Sequence, residues 1–158
     1  MVRWGELRRV QPELADAGRR LLYQFGVGLA FLATVRRDGG PRVHPICPLL
    51  ADDALVAFLV PSPKRDDLHR DGRYAMHCFP PADNEDAFYI TGTAWMVDDA
   101  RARERLEAQF VAERGWESSS LSFDDQELFE FGIERCLQTS TTGHGDPNPQ
   151  HTIWHSHE

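Results

Sequence analysis

Lysine is almost absent from this chain. Lys64 is the only one, and the other sixteen of the 17 basic residues are arginine. Acidic residues number 25, so the formal net charge is −8, and the excess positive field that nucleic acid or an anionic membrane would demand is missing. Cysteine is scarce too. Cys47, Cys78 and Cys136 sit in separate apolar stretches with no CxxC pair, which excludes a disulfide-stapled miniprotein and the usual zinc spacings; they read as free thiols of a reducing compartment. No run approaches the roughly 20 apolar residues of a spanning helix, and residues 1–9 carry no apolar signal-type core. The expectation is a cytoplasmic protein with neither nucleic-acid nor membrane partners. GxGxxG, a Walker sequence, HExxH and GxSxG are all missing, so dinucleotide, P-loop, zincin and nucleophile-elbow chemistry have no support.

What is present is an ordinary globular composition, 158 residues with 41% hydrophobic and 27% charged, sized for one domain over residues 1–158. Leu14, Ala17, Leu21 and Leu22 recur at helical spacing and predict a helix over 13–24, with Pro12 in its first turn. Strands are predicted at 29–36, 42–50, 54–60, 73–79, 87–97 and 128–137. Asp38-Gly39-Gly40 is a hairpin signal between the first two. Pro45 and Pro48 make the second an edge strand, or a bent one. In the fifth, Phe88, Ile90, Gly92, Ala94 and Met96 alternate against Tyr89, Thr91, Thr93 and Trp95. A second helix runs from an Asp98 or Asp99 cap to about 114, and 64–70 forms a short one behind Ser62. Asp52-Asp53 reads as a turn and 118–125 as a polar loop. From 139 onward the chain reads as loop, apart from local docking of Thr152-Ile153-Trp154. Six strands joined mostly by tight antiparallel turns, with two main helices, favour a small barrel over a doubly wound sheet.

The most informative stretch is Phe58 to Leu68, where a strand ends in Pro61 and presents Ser62, Lys64 and Arg65 at a helix start. A hydroxyl, an ammonium and a guanidinium beside free amides suit a phosphate. The alternative is a solvated corner whose cations pair with Asp66 and Asp67. Arg36, Arg37 and Arg42 flank the first hairpin and offer either a second anion contact or a solvated turn. His44 and His77, in strands among apolar neighbours, read first as hydrogen-bonded structural residues. His144, His151, His155 and His157 give the tail metal-ligating side chains, with no residue nearby to fix their geometry.

Taken in order, Leu29-Ala-Phe-Leu-Ala-Thr-Val-Arg36, Gly39-Gly-Pro-Arg-Val-His-Pro-Ile46, Ser62-Pro-Lys-Arg-Asp-Asp-Leu68, Asp71 to His77, Tyr89-Ile-Thr-Gly-Thr-Ala94 and His151-Thr-Ile-Trp154 resemble the pyridoxamine 5'-phosphate oxidase-like family of flavin-binding split barrels. The resemblance spans about residues 12–155. It implies a mainly β fold, a six-stranded antiparallel split barrel with flanking helices, and a homodimer with cofactor at the interface. The cofactor is FMN, with the deazaflavin F420 or haem as alternatives. Ser62, Lys64 and Arg65 would hold its phosphate. Arg42, Val43, His44, Pro45 and Ile46 would run beside the ring and ribityl chain, largely through backbone, with Val60 near the phosphate. Trp154, in a tail over 142–158 that docks on the partner subunit, would reach the site from the other copy. The implied activity is an oxidoreductase acting on a small-molecule substrate, against a non-catalytic flavin- or haem-binding protein. Trp154 lacks the later arginine with which the pyridoxal-forming enzymes hold their substrate, so a shorter relative is expected. No catalytic residue is implied.

Overall fold

A computed structural model describes residues 1–51, 53–116 and 122–156; Asp52 of the turn, the first half of the 118–125 loop and His157 lie outside them. The helices are α1 (Trp4–Val10), α2 (Pro12–Leu22), α3 (Pro63–Arg70) and α4 (Ala100–Glu113). The strands are β1 (Ala30–Val35), β2 (Pro41–Ile46), β3 (Leu49–Leu50), β4 (Leu55–Leu59), β5 (Arg73–Cys78), β6 (Ala87–Met96), β7 (Glu127–Ser140) and β8 (Gln150–His155). All pairings are antiparallel, in the order β2-β1-β5-β6-β7-β4-β3, with β8 also on β7. The result is a curled, open antiparallel sheet with flanking helices, a split barrel.

Three features depart from the sequence expectation. The strand predicted over 42–50 breaks at Cys47-Pro48 into β2 and β3, as two prolines in one strand invite. The tail is not loop: residues 150–155 add a further strand to β7, with Trp154 opposite Cys136. A helix precedes the predicted first one, anchored by buried Trp4 and Leu7.

Two apolar clusters fill the structure. Leu55, Ala57 and Leu59 of β4 face the main core, while Val56 and Phe58 face a second cluster with Leu106 and Phe110 of α4. Burial on both faces explains why β4 reads as an unbroken apolar run. α2 buries Leu14, Gly18, Leu21 and Leu22 on one stripe. Gly18 is required there: a Cβ at this position would lie 2.4 Å from the buried Phe88 ring. On β6, Gly92 borders a register shift against β7, and its missing Cβ would sit 1.9 Å from the Gly132 carbonyl oxygen.

Candidate functional site

The corner where β4 passes into α3 is built by the prolines. Pro61 ends the strand and Pro63 starts the helix with its backbone pre-set. The Ser62 carbonyl accepts from the Arg65 and Asp66 amides at 3.0 and 3.2 Å. The Ser62 hydroxyl does not cap the helix as expected. It donates instead to the Val60 carbonyl at 2.8 Å.

Lys64 follows in the first turn. It has no hydrogen-bond or ion-pair partner among the described residues, and burial pulls its ammonium below the ordinary lysine value. Arg65 points elsewhere. Its guanidinium donates to the Asp125 carbonyl at 2.8 Å and lies 3.6 Å from Glu127, which also takes His69 at 2.5 Å. Arg65 and His69 thus tie the far face of α3 to β7.

Asp67 lies one turn beyond Lys64 on the same helix face. It is 3% exposed and accepts from Thr34 Oγ1 at 2.9 Å, Arg42 Nε at 2.7 Å and Arg70 Nη1 at 3.1 Å. Arg70 also donates to the Val35 carbonyl. Burial works to raise the Asp67 carboxyl, but the donors from Arg42, Thr34 and Arg70 outweigh it and hold it below the usual carboxylate value. Asp67 therefore joins β1, β2 and α3 and fixes the Arg42 guanidinium by one nitrogen. Sequence reasoning treated Asp67 only as a surface partner, because its role depends on residues 25 and 33 positions away.

β2 is an edge strand, and its open side lies along the split. Arg42, His44 and Ile46 share the face toward Thr34, Leu32 and Ala30, and Ile46 is buried in the core. Val43 and Pro45 face outward, Val43 at 59% exposure. The structure therefore gathers Ser62, Lys64 and Val60 at one corner, with Arg42 linked through Asp67. Ile46 is held away by burial, and Trp154 packs against its own chain's core on β8, five strands from β2 along the sheet.

The outward face holds a second feature that sequence reasoning missed. Register places Pro45, Phe31, His77, Tyr89, Leu137 and Ile153 in one row across β2, β1, β5, β6, β7 and β8. The row carries no carboxylate, lysine or arginine. Phe31 stacks on Phe79 at 4.3 Å between ring centroids, and Phe79 meets Phe25 edge-on. Between Val43 and Tyr89 lies a groove of about 150 Å³. The alternation of Phe31, Ala33 and Val35 with buried Leu32 and Thr34 was the available signal, since both faces of β1 are largely apolar.

Among the described residues no group of three His, Cys, Asp or Glu side chains is placed to hold a metal ion, and no helix is long and apolar enough to cross a membrane. No protein-family model matches the chain, and no curated protein matches it. Solved structures do. A putative pyridoxamine 5'-phosphate oxidase from Listeria innocua superposes with a TM-score of 0.64 at 19% identity, covering 78% of this chain and 96% of that one. The haem storage protein HutZ from Vibrio cholerae gives 0.58 at 17%, covering 78% and 89%. A haem-binding protein from Mycobacterium smegmatis gives 0.60 at 16%, covering 90% of this chain and 58% of that one. At these identities the likeness establishes the split-barrel fold, which oxidase-like and haem-binding proteins share.

Proposed function

We propose that the protein binds a phosphorylated planar cofactor of the flavin type at the α3 corner, FMN being the best match, and acts as a homodimeric oxidoreductase on a small molecule. The observation that carries this reading is Lys64, a partly desolvated ammonium at a helix start with no counter-charge among the described residues. Desolvating a cation is unfavourable unless an anion answers it, and a phosphate would do so. Lys64 supplies the charge and Arg42 its terminal nitrogens, with Asp67 holding it in place, and the Ser62 hydroxyl joins them as a donor once its hydrogen turns from the Val60 carbonyl. Arg65 serves by positioning α3. Val43, Pro45 and Val60 offer apolar and backbone contacts along the open side of β2. A bound flavin supplies the electron and hydride chemistry itself, so this reading asks for no acid–base pair at the corner. A second copy laid over the uncharged row would cover it.

The test is titration of FMN, F420 and haem into the wild type and Lys64→Ala, read by flavin or deazaflavin fluorescence and by haem absorbance. A charge-assisted contact of about 1.5–3 kcal/mol predicts a ten- to hundredfold loss of FMN affinity in the variant. Unchanged affinity would remove Lys64 from the site.

A second reading, a non-catalytic haem-binding protein, is favoured by the uncharged aromatic row and by the haem-binding proteins that share the fold. Haem bound in preference to FMN, with no turnover of reduced nicotinamide or dyes, would favour it over the first.

A further inference from the structure

We infer that His77 is a metal-ligating side chain whose Nε2 would bind the iron of a haem laid on the uncharged row; the inference rests on the haem reading above and names its ligand. His77 stands on the outward face of β5, between Phe31 of β1 and Tyr89 of β6. Its Nδ1 lies 2.6 Å from the Cys78 carbonyl oxygen. A carbonyl has no proton to give, so Nδ1 carries the hydrogen. In the neutral ring this leaves Nε2 with a bare lone pair, and the backbone contact fixes tautomer and ring orientation together, as the outer partner of a metal-bound imidazole does. No described group takes up Nε2.

The surroundings are an open apolar face, whose groove of about 150 Å³ would seat one edge of a disc lying across the strands. Phe31, Val43, Ala75 and Tyr89 line the groove beside the ring, and none is charged. From Val43 on β2 to Tyr89 on β6 the face crosses three strand spacings, about 14 Å. The carboxylates of a haem need a cation at the margin. Arg135 stands on the same face in the neighbouring row, opposite Thr91, which is opposite Ala75. It is two strand spacings from β5, about 10 Å. Its Nε is buried without a hydrogen-bond partner, a donor that a carboxylate would satisfy. Arg73, four residues from His77 on β5, already pairs with Asp71 at 2.6 Å.

His155 shares the outward face but stands on β8, opposite Arg135 and three strands from β5, and the experiment sets it against His77. Four further histidines are less suited. His69 is bound to Glu127, His151 to Thr139 and His144 to the Ala82 carbonyl. His44 faces the opposite side of the sheet.

The experiment adds ferric haem to the full chain and to His77→Ala, His155→Ala and Arg135→Gln, with absorbance, electron paramagnetic resonance and resonance Raman spectra. The wild type is expected to bind one equivalent per chain with an iron–imidazole signature. His77→Ala should lose that signature, bind about tenfold or more weakly, and recover it on addition of free imidazole. His155→Ala should match the wild type, and Arg135→Gln should weaken binding while keeping the signature. His77 is exposed, so its truncation leaves the core intact; matching circular dichroism checks this. A His77→Ala spectrum identical to the wild type, or loss of the signature in His155→Ala instead, overturns the assignment while leaving haem binding standing. A wild type that binds FMN but no haem overturns the haem reading and the assignment together.

Discussion

Replacing Asp67 by asparagine should cost the fold about 3 kcal/mol. The carboxylate accepts from three side chains on three elements, and an amide keeps one acceptor oxygen while turning a donor toward guanidinium groups. Hydrogen bonds to a charged partner contribute about 1.5–3 kcal/mol each. Arg42 and Arg70 retain 28% and 33% of their side-chain surface, so water recovers part of both. Thr34, 2% exposed, recovers nothing, and a stranded buried hydroxyl costs about 1–3 kcal/mol. Together these fall at the lower end of the ~3–5 kcal/mol seen when a buried ion pair loses one member. Urea unfolding should show the loss in the midpoint with an unchanged slope, and the melting temperature should drop by about 6–12 °C for a chain of this size. The pH dependence follows from the depressed native carboxyl. Its contribution is complete above the unfolded-state value, near 3.9, and is lost as pH falls through the lower native value. The gap between wild type and variant should be level from pH 7 to about 5 and close in the acid range. A loss below about 0.5 kcal/mol at neutral pH, or a gap that fails to narrow as pH falls below the unfolded-state value, would refute the reasoning.

Gly92→Ala should disrupt the β6–β7 pairing, since its Cβ would meet backbone rather than a movable side chain; loss of cooperative unfolding or amide protection along β6 would show it. Arg3 binds buried Glu130 through two contacts of 2.5 Å, so Arg3→Ala should destabilise by about 2–3 kcal/mol in chemical denaturation. Burial pushes the Cys136 thiol up to about 12 and raises Cys78 as well, whereas Cys47 is exposed. A thiol reagent should therefore titrate one cysteine in the native protein and three after unfolding, and Cys47→Ser should abolish the native reaction. Phe31→Glu should leave the fold intact but, by charging the outward row, shift a dimer toward monomer in sedimentation experiments.

Much of the fold was readable because its signals are local. The period-two pattern of β6, the Asp38-Gly39-Gly40 turn and the proline-bracketed start of α3 each lie within a few residues. α1 was missed because only Trp4 and Leu7 bury, too few to set a helical period. β8 was missed because its side chains stay exposed or half-buried and its pairing comes from the open edge of β7, which no residue of 150–155 announces. The candidate site divides along the same line. Ser62 and Lys64 share one short motif and come together. The Asp67 contacts and the outward row depend on long-range pairing and on register, and neither could be seen before the strands were aligned.

The fourteen residues of β7 also set an order for the making of the protein. Without this strand the sheet falls into two pieces, β2-β1-β5-β6 and β3-β4, since only β7 joins them. Its partner Ala57 precedes Phe129 by a long stretch of chain. On the ribosome the first piece can pair, but β4 and the inner edge of β6 remain bare until about residue 140 has emerged. At roughly 5–20 residues per second the nascent chain then carries open strand edges for several seconds or more. A pause or truncation after α4 would leave a half-sheet prone to pair with its neighbours.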